Sequence, residues 1–322
     1  MSEASIPASI GFDIGGTNLR AGVVNEHGRI IDSESLHTAD SVAELEAGIV
    51  RLVDSLSVRH PVEAVGLAVA GFLDPDCSTV RFAPHLPWRD APVKDILEQR
   101  LGLPVRLEHD ANSAAWAESQ FGAGRGAQDW VFFAIGTGIG ATLMSEGEIY
   151  RGAYGTAPEF GHIQVVPNGR ECSCGKRGCL ERYASGTALA QTAQELRGQF
   201  TTALAPDASG EDIVAAARLG DELAKAVMDD FAQWLGLGLS MVCDILDPEL
   251  IVLGGGVSKE ADLYLDKTRA VMESSVVGAG HRPLARVATA TLGWQAGMIG
   301  AADLARRELA KPDLSTHSVI AE

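Results

Sequence analysis

The chain has 322 residues, a hydrophobic share of 46% and a formal net charge of −17. That length holds two domains of ordinary size with a full core. The acidic balance argues against nucleic-acid binding, which needs a basic surface, but it leaves room for a glycine loop that binds phosphate locally.

Strands are predicted over 10–14, 19–24 and 30–36, the first ending at Gly15-Gly16 and the third following a turn at His27-Gly28. Ser41 and Glu44 form a capping-box signature ahead of Leu45, Ile49, Leu52, Val53 and Leu56 at helical spacing. Residues 64–70 are a continuous apolar run, as a fully buried strand requires. A short strand over 105–108 leads into a small-residue helix that begins near Asp110. Strands over 131–135 and 141–144 enclose Gly136-Thr137-Gly138-Ile139-Gly140. Helices follow over 188–200, 210–219 and 222–246, the last apolar enough for core or interface. A strand over 250–253 ends at Gly254-Gly255-Gly256, and a strand over 287–290 and a helix over 296–309 close the pattern. The polar tail 311–322 is expected to fray. Strand triplets opening two halves, each with glycine turns, indicate a duplicated α/β unit around a cleft.

The densest chemistry lies in 159–181, EFGHIQVVPNGRECSCGKRGCLE. His162, Cys172, Cys174 and Cys179 offer one imidazole and three thiolates, the ligand set of a closed tetrahedral zinc site. Gly175 and Gly178 sit where a loop must curl around a metal. Glu159 and Glu181 flank the ligands, so a metal would pin two carboxylates in a relation suited to a polyhydroxyl ligand. Core cysteines would need a less polar segment. A redox pair would want C-x-x-C ahead of a helix, and Cys172-x-Cys174 is neither. Five cysteines in all, three of them clustered, fit a reducing cytoplasm better than a disulfide framework. The first residues, MSEASIPASIGFDIGG, carry neither a basic n-region nor an apolar h-region. No apolar run reaches the roughly 18 residues of a membrane helix.

Asp13-Ile14-Gly15-Gly16-Thr17 joins two strands. Its glycines let the backbone approach a phosphate, with N–H groups and the Thr17 hydroxyl as donors, and Asp13 can hold magnesium through water. A plain hairpin turn is the alternative. Residues 136–141 match G-x-G-x-x-A, but the dinucleotide fingerprint requires a helix next. ATLMSEGEIY reads instead as a strand and hairpin, so the loop is a second phosphate hairpin. Gly254 to Gly256 can approach a flat adenine ring. Together these loops suggest phosphoryl transfer, which needs positioning and charge neutralisation and one base for the attacking hydroxyl. Asp110, in Glu108-His109-Asp110-Ala111-Asn112, is the candidate base; it also suits the N-cap of its helix.

The chain resembles sugar kinases of the ROK family, and within it bacterial ATP-dependent glucokinases, nearly end to end from about residue 10 to 309. The motifs are DIGGTNLRAG (13–22), LAVAGFLD (67–74), DAN (110–112), AIGTGIG (134–140), EFGHIQV (159–165), CSCGKRGCLE (172–181) and IVLGGGVS (251–258). The cysteine motif is specific to the family; the glycine turns are shared by its superfamily. The resemblance implies an α/β fold of the actin/hexokinase type (ribonuclease H-like), two domains with a central cleft. Residues 1–108 plus the helix 296–322 would form the small domain and 109–295 the large one. It implies that Asp13, Gly15, Gly16, Thr17, Asn18, Gly136, Thr137 and Gly138 hold the phosphates of ATP with Mg2+ near Asp13, and that Gly254, Gly255 and Gly256 border the adenosine. Asp110 would be general base for the sugar 6-hydroxyl. Gly71, His85, His109, Asp110, Glu159, His162 and Glu181 would bind the sugar. His162, Cys172, Cys174 and Cys179 would hold structural Zn2+, with His162 bridging metal and sugar. A cytoplasmic homodimer acting on small molecules, with no nucleic-acid or membrane partner, is implied as well.

Two positions depart from the family, His109 before the catalytic acid and His85 in APHLPW (83–88), where Asn is usual. An amide offers donor and acceptor from one group, a neutral imidazole from opposite sides of a ring, so sugar choice is the property these changes touch. A smaller departure is Ala141-Thr142, where more glycine is common. The expected activity is ATP:glucose 6-phosphotransfer. Alternatives are mannose, fructose or an N-acylhexosamine such as N-acetylmannosamine as acceptor, polyphosphate as donor, or a sugar-binding regulator without catalysis. A DNA-binding repressor would need a helix-turn-helix ahead of a phosphate loop that starts at residue 13.

Overall fold

The computed structural model of the protein describes residues 8–309. Residues 1–7 and 310–322, with the tail expected to fray, lie outside the described residues. In chain order the elements are β1 (Ala8–Ile14), β2 (Asn18–Val24), β3 (Ile30–His37), α1 (Val42–Ser57), β4 (Val62–Val69), β5 (Phe72–Leu73), β6 (Val80–Phe82), β7 (Arg89–Ala91), α2 (Val93–Leu101), β8 (Val105–His109) and α3 (Asp110–Phe121). They continue with β9 (Trp130–Ile135), β10 (Ile139–Ser145), β11 (Glu148–Tyr150), α4 (Gly186–Leu196), α5 (Gly210–Leu219), α6 (Glu222–Leu246), β12 (Leu250–Gly254), α7 (Leu265–Ser275), β13 (Arg286–Thr289) and α8 (Ala296–Leu309). Two compact units divide the chain: residues through Phe121 with Arg151–Thr156 and everything from Gln295, then Gly122–Tyr150 with Ala157–Trp294.

The first unit is built on a sheet of order β3-β2-β1-β4-β8. β2 pairs antiparallel with both β1 and β3, while β4 and β8 run parallel to β1. Gly22, Gly11 and Gly66 are neighbours across three strands of this sheet, and α8 lies on the row they form. A Cβ on Gly11 would fall 1.9 Å from the Met298 carbonyl oxygen, and one on Gly66 would fall 1.9 Å from that of Ala301. The sequence reading divides the chain at residue 108, whereas the compact units divide it after Phe121. The reason is α8: Gly300 seats against the Ser113 backbone, and Trp116 Nε1 donates to buried Asp303 at 2.9 Å, so α3 packs within the first unit.

The second unit repeats the pattern, with order β11-β10-β9-β12-β13, in which β10 pairs antiparallel with β11 and β9 while β9, β12 and β13 run parallel. Two sheets of one topology are the duplicated α/β unit expected from the strand triplets. Helix α6 belongs to the core of this unit: Phe231, Leu235, Leu239 and Val242 are buried at helical spacing among β9, β12 and α7 residues. Asp221 caps it, accepting from the Ala224 N–H at 3.0 Å. No helix among the described residues is long and apolar enough to cross a membrane.

Candidate active site

In the first unit the functional residues collect at the ends of β1, β4 and β8. β1 stops at Ile14, and the turn that follows is closed by the Gly15 N–H donating to the Asn18 carbonyl at 3.1 Å. The Thr38 hydroxyl ties the same turn through the Gly15 carbonyl at 2.7 Å. Gly16, Thr17 and Asn18 are left exposed, with the Thr17 carbonyl held by the Thr38 N–H at 3.0 Å. Gly16 is required sterically, since a Cβ would sit 2.9 Å from that of His85. The loop bearing His85 thus lies on this turn. Gly71 is buried against it, a Cβ there falling 2.8 Å from the Phe82 carbonyl oxygen.

Asp13 is the penultimate residue of β1, and Asp110 opens α3 directly after β8. Burial raises the pKa of Asp13, the charge of Asp110 raises it further, and Arg20 at 3.6 Å offsets part of this. The neighbouring charge that disfavours Asp13 ionisation is one a hydrated divalent cation would offset, so Asp13 fits the magnesium role. Asp110 Oδ1 accepts the Ala111 N–H at 2.8 Å and lies 3.3 Å from His109 Nε2. Among the described residues its Oδ2 makes no hydrogen bond with protein. Half-exposed, with one oxygen anchored and the other open, it has the form of a general base.

The second unit carries the other set. Gly136 N–H donates to the Gly138 carbonyl at 2.9 Å and closes the β9–β10 turn. The start of α4 braces it, with the Gly186 N–H on the Gly136 carbonyl at 2.7 Å and the Thr187 hydroxyl on the Thr137 carbonyl at 2.7 Å. Beyond β12, Gly255 adopts φ +81° with its α-carbon pressed on the Ile135 backbone. Between these turns and α5 opens a cavity of about 870 Å3. Val214 and Val257 line it, with Ser209, Lys259 and Arg218. Arg218 is clasped by Glu260 at 2.5 Å and Asp262 at 2.6 Å. The sequence reading reached the glycines of this cavity but not its α5 wall, although the Ser209 capping box marks where that wall starts.

The zinc ligands come together as the sequence predicts. Donor atoms of His162, Cys172, Cys174 and Cys179 all lie within 4.8 Å of one another. His162 Nδ1 is 3.6 Å from Cys172 Sγ, and Cys174 Sγ is 3.6 Å from Cys179 Sγ. Tetrahedral thiolates at the usual Zn–S length sit about 3.8 Å apart, so the donor set fits the ion. Burial and neighbouring thiols push the Cys179 thiol up, so a bound metal is what would draw its proton off. With Nδ1 on the ligand side, His162 Nε2 faces outward, 3.9 Å from Glu159. Glu181 leaves the loop on a 3-10 turn and accepts the Ile139 N–H at 2.9 Å. That bond ties the cysteine loop to the Gly136–Gly138 turn. Glu181, unrelated in sequence spacing to the glycine turn, therefore shares its neighbourhood.

Paired sheets of one topology, with glycine turns at strand ends, define an α/β protein of the actin/hexokinase type. Residues 9–308 match the ROK family, and the chain belongs to it. It is 42% identical over 308 residues to a glucokinase of Streptomyces coelicolor, covering 92% of this chain and 97% of the relative. Among solved structures, a ROK-family glucokinase from Streptomyces griseus in complex with glucose and AMPPNP superposes with a TM-score of 0.81 at 43% identity, covering 93% of this chain and 99% of the other. A ROK hexokinase from Thermus thermophilus gives a TM-score of 0.80 at 30% identity, over 94% and 99% of the two chains.

Proposed function

We propose that this protein transfers the γ-phosphoryl group of MgATP to the 6-hydroxyl of glucose. The observation that carries the reading is Asp110, a carboxylate with Oδ1 anchored and Oδ2 open, in the same unit as the Gly15–Asn18 turn. Glucose is held through its hydroxyls by Glu159, His162 and Glu181 and by Gly71, His85 and His109. The two glycine turns cradle the phosphates and the Gly254–Gly256 cavity takes the adenosine; Asp13 would hold magnesium, which would supply charge neutralisation at the transferred group. Asp110 Oδ2 accepts the 6-hydroxyl proton as that oxygen attacks phosphorus in line. His162 and the three cysteines would hold zinc, which would supply rigidity to the histidine ring and the loop that carries Glu181.

His85 and His109 support a second reading, the same chemistry on another hexose or an N-acylhexosamine. The reading includes a cytoplasmic location, in keeping with five free cysteines, and assembly as a homodimer, which light scattering tests. The functional experiment is ADP release from MgATP with glucose, mannose, fructose, N-acetylglucosamine and N-acetylmannosamine. Turnover highest with glucose supports the first reading. Turnover only with another sugar transfers support to the second and makes the two histidines the cause. Silence with every sugar contradicts both.

A further inference from the structure

Two residues before Asp110 lies a charge that the reaction does not use. Glu108 is 1% exposed. Its Oε1 accepts the His109 backbone N–H at 3.1 Å and Asn112 Nδ2 at 2.9 Å. One oxygen therefore holds the turn on both sides of Asp110. Its Oε2 pairs with Arg106 at 3.3 Å and with Arg151 Nη2. Burial favours the neutral acid, but the two guanidinium groups outweigh it and keep the carboxyl below its ordinary range. Arg106 reaches on to Glu308 of α8 at 2.7 Å.

Arg151 arrives from elsewhere in the chain. It opens Arg151–Thr156, the short stretch that enters the first unit from β11 and leaves it again at Ala157. The stretch is seated on the first unit at its far end too, where a Cβ on Gly155 would lie 3.2 Å from the Pro75 nitrogen. β11 itself pairs with β10, the strand that leaves the Gly136–Gly138 turn.

We propose that Arg151 is a positioning residue for the general base: through Glu108 it makes the geometry of the Asp110 turn depend on the seating of the crossing segment. This rests on Asp110 being the base. The physics is that of a buried ion left without its partner. If Arg151 withdraws, Glu108 retains only Arg106 as a cation and must swing toward it or take up water. Either move releases the His109 N–H and Asn112 Nδ2 from Oε1 and so loosens the turn on both sides of Asp110. A displacement of about 1 Å at a reacting group costs up to about a hundredfold in rate. A bare point charge replaces the pair poorly, because the guanidinium fork is planar and directional.

The test uses the full chain with Arg151→Met and Arg151→Lys, read by steady-state kinetics and by amide hydrogen exchange. In Arg151→Met, kcat falls about ten- to a hundredfold while KM for MgATP stays within about twofold. Exchange quickens at 109–112 as well as at 151–156, and Arg151→Lys recovers part of kcat. Unchanged kcat overturns the proposal, and so does faster exchange confined to 151–156. If the Met variant does not fold, the Lys variant decides alone: lower kcat with faster exchange at 109–112 supports the tether, and wild-type values for both overturn it. If the wild-type protein phosphorylates no sugar, the functional reading fails separately. Joint loosening of 109–112 and 151–156 then still supports the tether, and independent loosening overturns it.

Discussion

Gly178 and Gly175 make a matched pair for testing the cysteine loop. Both hold positive φ, +79° and +87°, so alanine at either costs about 1–2 kcal/mol of backbone strain. They differ in what surrounds them. A Cβ on Gly175 meets nothing within 4 Å, whereas one on Gly178 falls 1.7 Å from the Val166 carbonyl oxygen. Contacts of that kind do not occur below 3.0 Å, so the two segments must part by roughly 1.3 Å. That movement breaks the bonds from the Val165 and Val166 N–H groups to the Gly178 carbonyl, now 2.8 and 3.2 Å, at about 1 kcal/mol each. The local cost of Gly178→Ala is about 3–4 kcal/mol. Cys179 adjoins the break, and metal–ligand lengths tolerate only about 0.2 Å. Zinc per chain, measured by plasma emission, is expected near one for wild type and Gly175→Ala and well below one for Gly178→Ala. KM for the sugar rises in the last variant alone, because Glu181 is carried with the loop. Full zinc content and wild-type KM in Gly178→Ala, or equal loss in both variants, would refute the reasoning.

Three further outcomes follow from the same geometry. Glu108 has a folded pKa below its ordinary value of 4.5, so its contribution to stability is whole above about pH 4.5 and is lost as pH falls through the lower folded value. Glu108→Gln is therefore about 3–5 kcal/mol less stable at pH 7, and its urea midpoint declines less than that of wild type below about pH 4.5. Gly300→Ala places a Cβ 1.7 Å from the Ser113 carbonyl oxygen; forcing α8 off α3 costs about 3 kcal/mol, read by urea unfolding, and a wild-type midpoint would contradict the packing described. Arg218→Ala opens the clasp beside the cavity proposed for adenosine and raises KM for MgATP about two- to fivefold with KM for the sugar unchanged; the reverse pattern would move the nucleotide elsewhere.

Which parts of this were legible in the sequence follows from how local each signal is. Residues 64–69 of β4 and 250–254 of β12 are unbroken apolar runs buried inside their sheets, and β1 is buried at every position but Asp13. The zinc ligands fall within 18 residues, so spacing alone names them. Helices α2 and α7 escape the sequence reading because each buries only two residues, Val93 with Leu97 and Thr268 with Met272, too few for an apolar stripe. Strands β5 to β7 have two or three residues each and leave no period to detect. The helix expected over 188–200 stops at Leu196, where Arg197 turns extended and Gly198 takes φ +90°. The partnership of Glu108 with Arg151 spans 43 residues, and only the folded chain brings the two charges together.

The most direct test of the account is a single-turnover measurement with Asp110→Asn, MgATP and glucose, paired with equilibrium glucose binding. Asparagine keeps the size and an oxygen for the Ala111 N–H but cannot take the 6-hydroxyl proton. The account predicts glucose affinity within about threefold of wild type and a phosphoryl-transfer rate lower by about a hundredfold or more. A transfer rate near that of wild type would contradict the assignment of Asp110 and with it the mechanism built on this site.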